Sequence, residues 1–164
     1  MPEKAVVERA RKDARQGKSP STQAGEFVHE EIKHIREGKH GAQSTKQAIA
    51  IGLSKARRAG VKLPPPEPGT TSRATRRKAA RELARVATGK PRSRTRARAT
   101  MGVLKRKGHS AGSSAALSRQ AVGSARKRGA AARSEAARKG VRTKGARKRS
   151  AAARKAARTR ARRK

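Results

Sequence analysis

Ser44-Thr45-Lys46-Gln47-Ala48-Ile49-Ala50-Ile51-Gly52-Leu53-Ser54-Lys55-Ala56-Arg57-Arg58-Ala59-Gly60 is the stretch whose reading decides the fold class. Ser44 and Gln47 stand at the spacing of a capping box, in which two side chains satisfy the backbone N–H groups that open a helix. Ile49, Gly52, Leu53 and Ala56 then follow at i, i+3, i+4 and i+7, one stripe of a helical repeat, and Gly60 marks its stop. The stretch predicts an amphipathic helix.

Working back toward the N-terminus, Phe27, Val28, Ile32 and Ile35 repeat at helical spacing between Thr22 and Gly38, which predicts a second amphipathic helix. Only Lys39-His40-Gly41-Ala42-Gln43 separates the two, short enough for an antiparallel hairpin with facing apolar stripes, and Val61 and Leu63 could close one end. A polar helix from about residue 2 to 16 precedes them, with Pro2 at a first helical position, Val6 and Val7 to bury, and Gly17 as its end. The expected class is mostly α, built on a short N-terminal hairpin extended to three helices.

Working forward, Pro64-Pro65-Pro66-Glu67-Pro68-Gly69 reads as a stiff extended linker. The expected organisation is a small α-helical domain over 1–63, a Pro-rich linker over 64–69 and a basic Ala/Lys/Arg-rich tail over 70–164. Within the tail, Thr71-Ser72 caps a helix through Thr88, stopped by Gly89 and Pro91. Short helical stretches follow at 113–127 and 130–139, broken by Gly123, Gly129 and Gly140. Leu, Ile, Val and Phe number only 18 in 164 residues, about 11%, against the roughly 20% below which a highly charged chain is expected to be disordered. Hence no sizeable core is expected, the tail is read as largely disordered or extended-helical, and the hairpin is marginal unless a homodimer or a bound duplex completes it.

Charge gives the functional reading. The chain carries 47 Lys and Arg against 10 Asp and Glu, net +37, and self-repulsion on that scale calls for a polyanionic partner. Residues 1–68 hold 14 basic and 8 acidic residues, net +6, whereas residues 69–164 hold 33 basic and two acidic, Glu82 and Glu135, net +31. Duplex DNA carries one charge per about 1.7 Å, so the second part matches about 53 Å of duplex, or about 16 base pairs. The candidate phosphate contacts are Lys46, Lys55, Arg57 and Arg58 on the capped helix, then Arg76, Arg77 and Lys78, then Arg92, Arg94, Arg96 and Arg98. They continue with Lys105, Arg106 and Lys107, with Arg126, Lys127 and Arg128, with Arg147, Lys148 and Arg149, and with Arg154, Lys155, Arg158 and Arg162. In a helix, Arg154, Arg158 and Arg162 share one i, i+4 row, a repulsive arrangement that phosphates would turn favourable, so folding on binding is expected.

Readers of single strands and RNA loops stack bases on aromatic rings, and Phe27 is the only aromatic residue, so duplex backbone binding leads. Gly89-Lys90-Pro91-Arg92 loosely resembles the core of an AT-hook, although a turn explains it better. The expected function is histone-like, sequence-nonspecific binding and condensation of duplex DNA, with a cytoplasmic, nucleoid-associated location. The alternatives are an RNA- or ribosome-associated basic protein, or a regulatory module associated with DNA, as in plasmid maintenance. No enzyme and no cofactor are expected: cysteine is absent, no glycine loop follows a strand, and no Ser, His and acid arrangement stands near a pocket. No metal site is expected either, because His29 and His34 lie roughly 140° apart on a helix, while Glu30, Glu31 and Glu37 are read as surface partners of Lys33, His34 and Arg36. A membrane partner is not expected, since no apolar run approaches about 18 residues and the basic tail lacks an apolar face.

The run Ser44 to Gly60, preceded by Ser21-Thr22-Gln23-Ala24-Gly25-Glu26-Phe27-Val28, resembles a small bacterial domain family of unknown function over about residues 1–66. That resemblance implies a bacterial source and, through the labels such proteins often receive, a DNA-binding role, but no reaction and no site residue. The tail is similar in composition to the C-terminal domains of linker histones and of bacterial histone-like proteins. It favours Arg where linker-histone tails favour Lys, so the likeness speaks to mechanism more than to ancestry.

Overall fold

The computed structural model describes residues 2–89 and 93–162. Among them are seven α-helices and one 3-10 turn: α1 (Lys4–Arg15), α2 (Pro20–Arg36), α3 (Thr45–Arg58), α4 (Arg73–Ala87), α5 (Arg94–Lys105), the turn Ser110–Gly112, α6 (Ser114–Lys127) and α7 (Gly129–Ala161). The expectation of a helical hairpin followed by a largely disordered tail without a sizeable core is therefore overturned. Residues 70–164 carry four of the seven helices.

The physical reason lies in caps and alanines. Ser72, Ser93 and Ser113 each accept a hydrogen bond from the backbone N–H three residues on, at Thr75, Arg96 and Ala116, which satisfies donors that would otherwise oppose a helix start. Alanine between them is the best helix former and loses no side-chain freedom, so a stretch too poor in apolar bulk to be predicted as ordered is still helical. Neither α5 nor the 3-10 turn was expected, and α6 and α7 run through Gly123 and Gly140 instead of breaking there.

The chain divides into two compact units, Met1–Gln120 and Ala121–Lys164. In the first, α2 packs along α3 as the facing stripes predict, α1 covers one side of α2, and α4 lies against α3. The close approach of α2 and α3 is made at Gly52, where a Cβ would stand 2.7 Å from the Cα of Val28. One apolar cluster joins Val6, Ala10, Ala24, Phe27, Ala56 and Val61, with Val7, Leu53, Ala59 and Leu63 at its margin. A second joins Ile32, Ile35, Ala42, Ala48 and Ala111, flanked by Val28 and Leu117.

Residues expected in the tail thus complete the hairpin. The Gly41 and Ala42 N–H groups donate to the carbonyls of Leu104 (2.9 Å) and Gly108 (3.2 Å). Thr45 Oγ1 donates to the Ala111 carbonyl (2.8 Å) and Arg36 Nε to that of Gly112 (2.7 Å). The stripes that seemed to need a second copy or a duplex are covered within the chain by α1 and by residues 104–117.

In the second unit, none of the described residues of α7 is buried. Its helical path is interrupted at Gly145, whose φ of 64° and ψ of 166° leave the helical region.

Candidate nucleic-acid interface

The cations proposed for phosphate contact divide into two groups in the structure. On α3, Lys46 is exposed, and so is Arg58, whose Nε donates to the Ser54 carbonyl (3.0 Å). Lys55 and Arg57 are held by the fold. Lys55 Nζ lies 2.7 Å from Glu31 Oε2 and 3.4 Å from Glu30 Oε2. Arg57 is buried, with Nε donating to the Leu63 carbonyl (3.3 Å) and a terminal nitrogen 3.6 Å from Glu82 Oε2. Glu82 also accepts from the Ser54 hydroxyl, so this one acidic residue of α4 fastens that helix to α3.

The second group faces outward. Arg76, Arg77 and Lys78 on α4, Arg94, Arg96, Arg98 and Lys105 on α5, and Arg106 and Lys107 beyond it are all exposed. So are Arg126 and Lys127 at the end of α6, Arg128, and Arg147, Lys148, Arg149, Arg154, Lys155 and Arg158 on α7, with Arg162 as its C-cap. Arg92, and with it most of the AT-hook-like segment, lies outside the described residues. A shallow groove of about 590 Å³ between the proline segment and α4 is lined by Arg73, Arg76 and Arg77.

The first unit also contains a concentration of ionisable groups that helical periodicity did not reveal. Glu30 and Glu31 were expected at the surface and are instead buried. Glu30 Oε1 accepts the backbone N–H of Glu3 (2.6 Å), which docks the start of α1 on α2. His34 Nε2 donates to Glu3 Oε1 (3.0 Å), and Lys39 Nζ lies 3.6 Å from the same oxygen and 3.1 Å from Glu37 Oε2. The hydrogen bond from His34, reinforced by the charge of Lys39, holds the Glu3 carboxyl below the usual carboxylate range. A hydrogen bond from Lys39 does the same for Glu37, and that contact raises Lys39 above the ordinary lysine value. His40, from the hairpin loop, is buried with Nε2 3.4 Å from Glu31 Oε1. Of the surface pairs expected on α2, Lys33 and Glu37 meet, at 3.6 Å.

The fold and surface define an all-helical, strongly basic chain whose small first unit is pinned by buried ion pairs and whose exposed helices carry nearly all of the free cations. Residues 5–67 match the sequence profile of a family of unknown function (DUF6496). The match spans α1 to α3 and the start of the proline segment and stops before the more basic part of the chain. No curated protein and no solved structure matches the chain. No helix among the described residues is long and apolar enough to cross a membrane.

Proposed function

We propose that this is a histone-like protein that binds and condenses duplex DNA without sequence preference by neutralising phosphates, in a nucleoid-associated setting. The observation that supports this reading best is the charge spacing on α7. Residues 146–161 carry seven cations and no acid, over about 24 Å of helix at about 1.5 Å per residue. That is one cation per about 3.4 Å, the spacing of phosphates along one strand of a duplex. At about 100° per residue, Arg147, Lys148, Arg154, Lys155 and Arg158 fall within an arc of about 120°, with Ala153 and Ala156 opposite. Such a row repels itself when bare and becomes favourable beside a phosphate backbone. Because the helix is already formed, binding is expected to add little helical circular dichroism, in place of the folding on binding that a disordered tail would require.

The test is a salt titration of duplex affinity with the full chain and with an Arg154→Gln, Lys155→Gln, Arg158→Gln variant. If all three contact phosphate, the slope of log affinity against log salt becomes shallower by about 2.7, at about 0.9 per contact. The loss of affinity should be uniform across duplex sequences. A wild-type affinity indifferent to salt would reject the reading. Preference for structured RNA over duplex at matched phosphate concentration would turn it toward an RNA-associated protein.

A further inference from the structure

Position 31 of α2 belongs, by its spacing, to the core. Ala24, Phe27, Glu31 and Ile35 form one stripe of the helix and each is 0% exposed, so a carboxylate stands where a packed domain would place an aliphatic side chain. Neither oxygen of Glu31 accepts a hydrogen bond among the described residues. Lys55 approaches Oε2 and His40 approaches Oε1, but neither does so with hydrogen-bond alignment. A fully buried carboxylate without hydrogen bonds is costly unless charge compensates it. The compensation from lysine is incomplete: Lys55 and Lys39 face three carboxylates, those of Glu3, Glu30 and Glu31.

Two imidazoles share the site. Glu31, His34 and His40 each offer one ligand atom, all within 4.8 Å of one another. Glu31 and His34 are three apart on α2 and so lie on one helix face, and the loop folded back over the end of α2 delivers His40. Each ring has a proton acceptor for one of its nitrogens, Glu3 Oε1 for His34 Nε2 and the Gly41 carbonyl for His40 Nδ1 (3.2 Å). This is the arrangement that orients metal-binding histidines and leaves the other nitrogen as a lone pair. With Nδ1 donating to Gly41, the lone pair on His40 Nε2 faces Glu31 Oε1 at 3.4 Å, two acceptors that need a cation between them or a second proton on the ring. Bonds of about 2.0 to 2.1 Å at tetrahedral angles put neighbouring zinc ligands about 3.3 Å apart, so this pair already stands at the separation that zinc requires.

We infer that Glu31, His34 and His40 form a site for a zinc-class divalent cation, one per chain, that ties α2 to the loop leading into α3. Glu3 and Gly41 orient the two imidazoles, and a fourth position is left for water. The donor set of two nitrogens and one carboxylate oxygen suits zinc and cobalt over calcium or magnesium, which prefer oxygen throughout.

The test uses full-length protein stripped with chelator. Calorimetric titration with Zn²⁺ should give one site per chain, weakened at least tenfold by Glu31→Gln or His40→Gln and unchanged by His29→Gln, whose imidazole is on the exposed side of α2. Circular dichroism of each variant reports whether it folds. Should the core variants not fold, Co²⁺ added to the unaltered protein decides the matter. Intense visible bands of four-coordinate cobalt, abolished by competing Zn²⁺, support the site; the faint spectrum of hydrated Co²⁺ overturns it and leaves His40 as an imidazolium paired with Glu31. Equal loss of zinc binding in the His29→Gln variant would also overturn it.

Discussion

At the scale of single residues, Phe27 shows how much of the first unit rests on few side chains. It is the only aromatic ring in the chain and is fully buried between α1 and α3, so Phe27→Ala is expected to destabilise the unit by about 3 to 5 kcal/mol, read as a shift of the urea midpoint. Glu3 is exposed and acts through charge. Its carboxyl is held low in the folded state, chiefly by the hydrogen bond from His34. A depressed folded value adds stability above the ordinary carboxylate range, and that stability is lost as pH falls through the folded value. Glu3→Gln should therefore lower stability at neutral pH and flatten the acid limb of the stability curve, with little difference between the two proteins at the most acidic end. Phe27 was legible as core from its spacing with Val28, Ile32 and Ile35. Glu31 was not, although it shares the same face, because a glutamate on an amphipathic helix is ordinarily assigned to water. Only the loop that brings His40 over it and the helix that brings Lys55 beside it make its burial tolerable, and both come from outside its own helix.

At the scale of elements, the capped stretch with which the sequence was opened folds as its spacing predicts, with one difference in detail. Ser44 accepts the Gln47 N–H (3.2 Å), but the Gln47 side chain reaches the Gln43 N–H (2.7 Å), one residue beyond the reciprocal partner of a capping box. Ser44→Ala should cost about 1 kcal/mol of stability. Gly52→Ala should cost more than helix propensity alone would suggest. Propensity favours alanine by about 0.8 to 1 kcal/mol, but the added methyl would press on the backbone of Val28, and overpacking of that kind costs about 1 to 3 kcal/mol. The net loss of thermal stability measures how firmly α2 and α3 are held together. The later helices were harder to read, since their apolar residues are too sparse to show a repeat. Leu104 and Leu117 each stand almost alone among cations and alanines, and the serines that cap α5 and α6 resemble the other serines of a low-complexity stretch.

At the scale of the whole molecule, the boundary suggested by composition and the boundary set by packing fall in different places. Charge density changes at the proline segment, whereas the first compact unit runs on to Gln120, because Glu82, Leu104, Ala111 and Leu117 are needed against α2 and α3 or the loop between them. A chain ending at Gly69 is therefore expected to melt at a lower temperature, and less cooperatively, than the intact protein, as followed by helical circular dichroism. Shortening the chain would confound stability with charge, and this favours substituting individual arginines and lysines when nucleic-acid affinity is measured. Residues 1–68 have nearly balanced charge and resemble an ordinary domain in that respect, yet two of their cations, Lys55 and Arg57, serve the interior. That allocation follows from where Glu31 and Glu82 are placed in three dimensions, which no count of basic residues reveals.

The left-handed residue at position 145 sets a length scale. Unbroken, thirty-three residues of helix would make a rod of about 50 Å, longer than the roughly 34 Å over which a double helix completes one turn. A straight rod of that reach meets a groove only briefly before the groove winds away from it. Divided at one glycine, the same stretch becomes two rods of about 24 Å, each short enough to stay alongside a winding backbone, so the break suits the cations to a curved target that a stiffer helix would touch at a tangent.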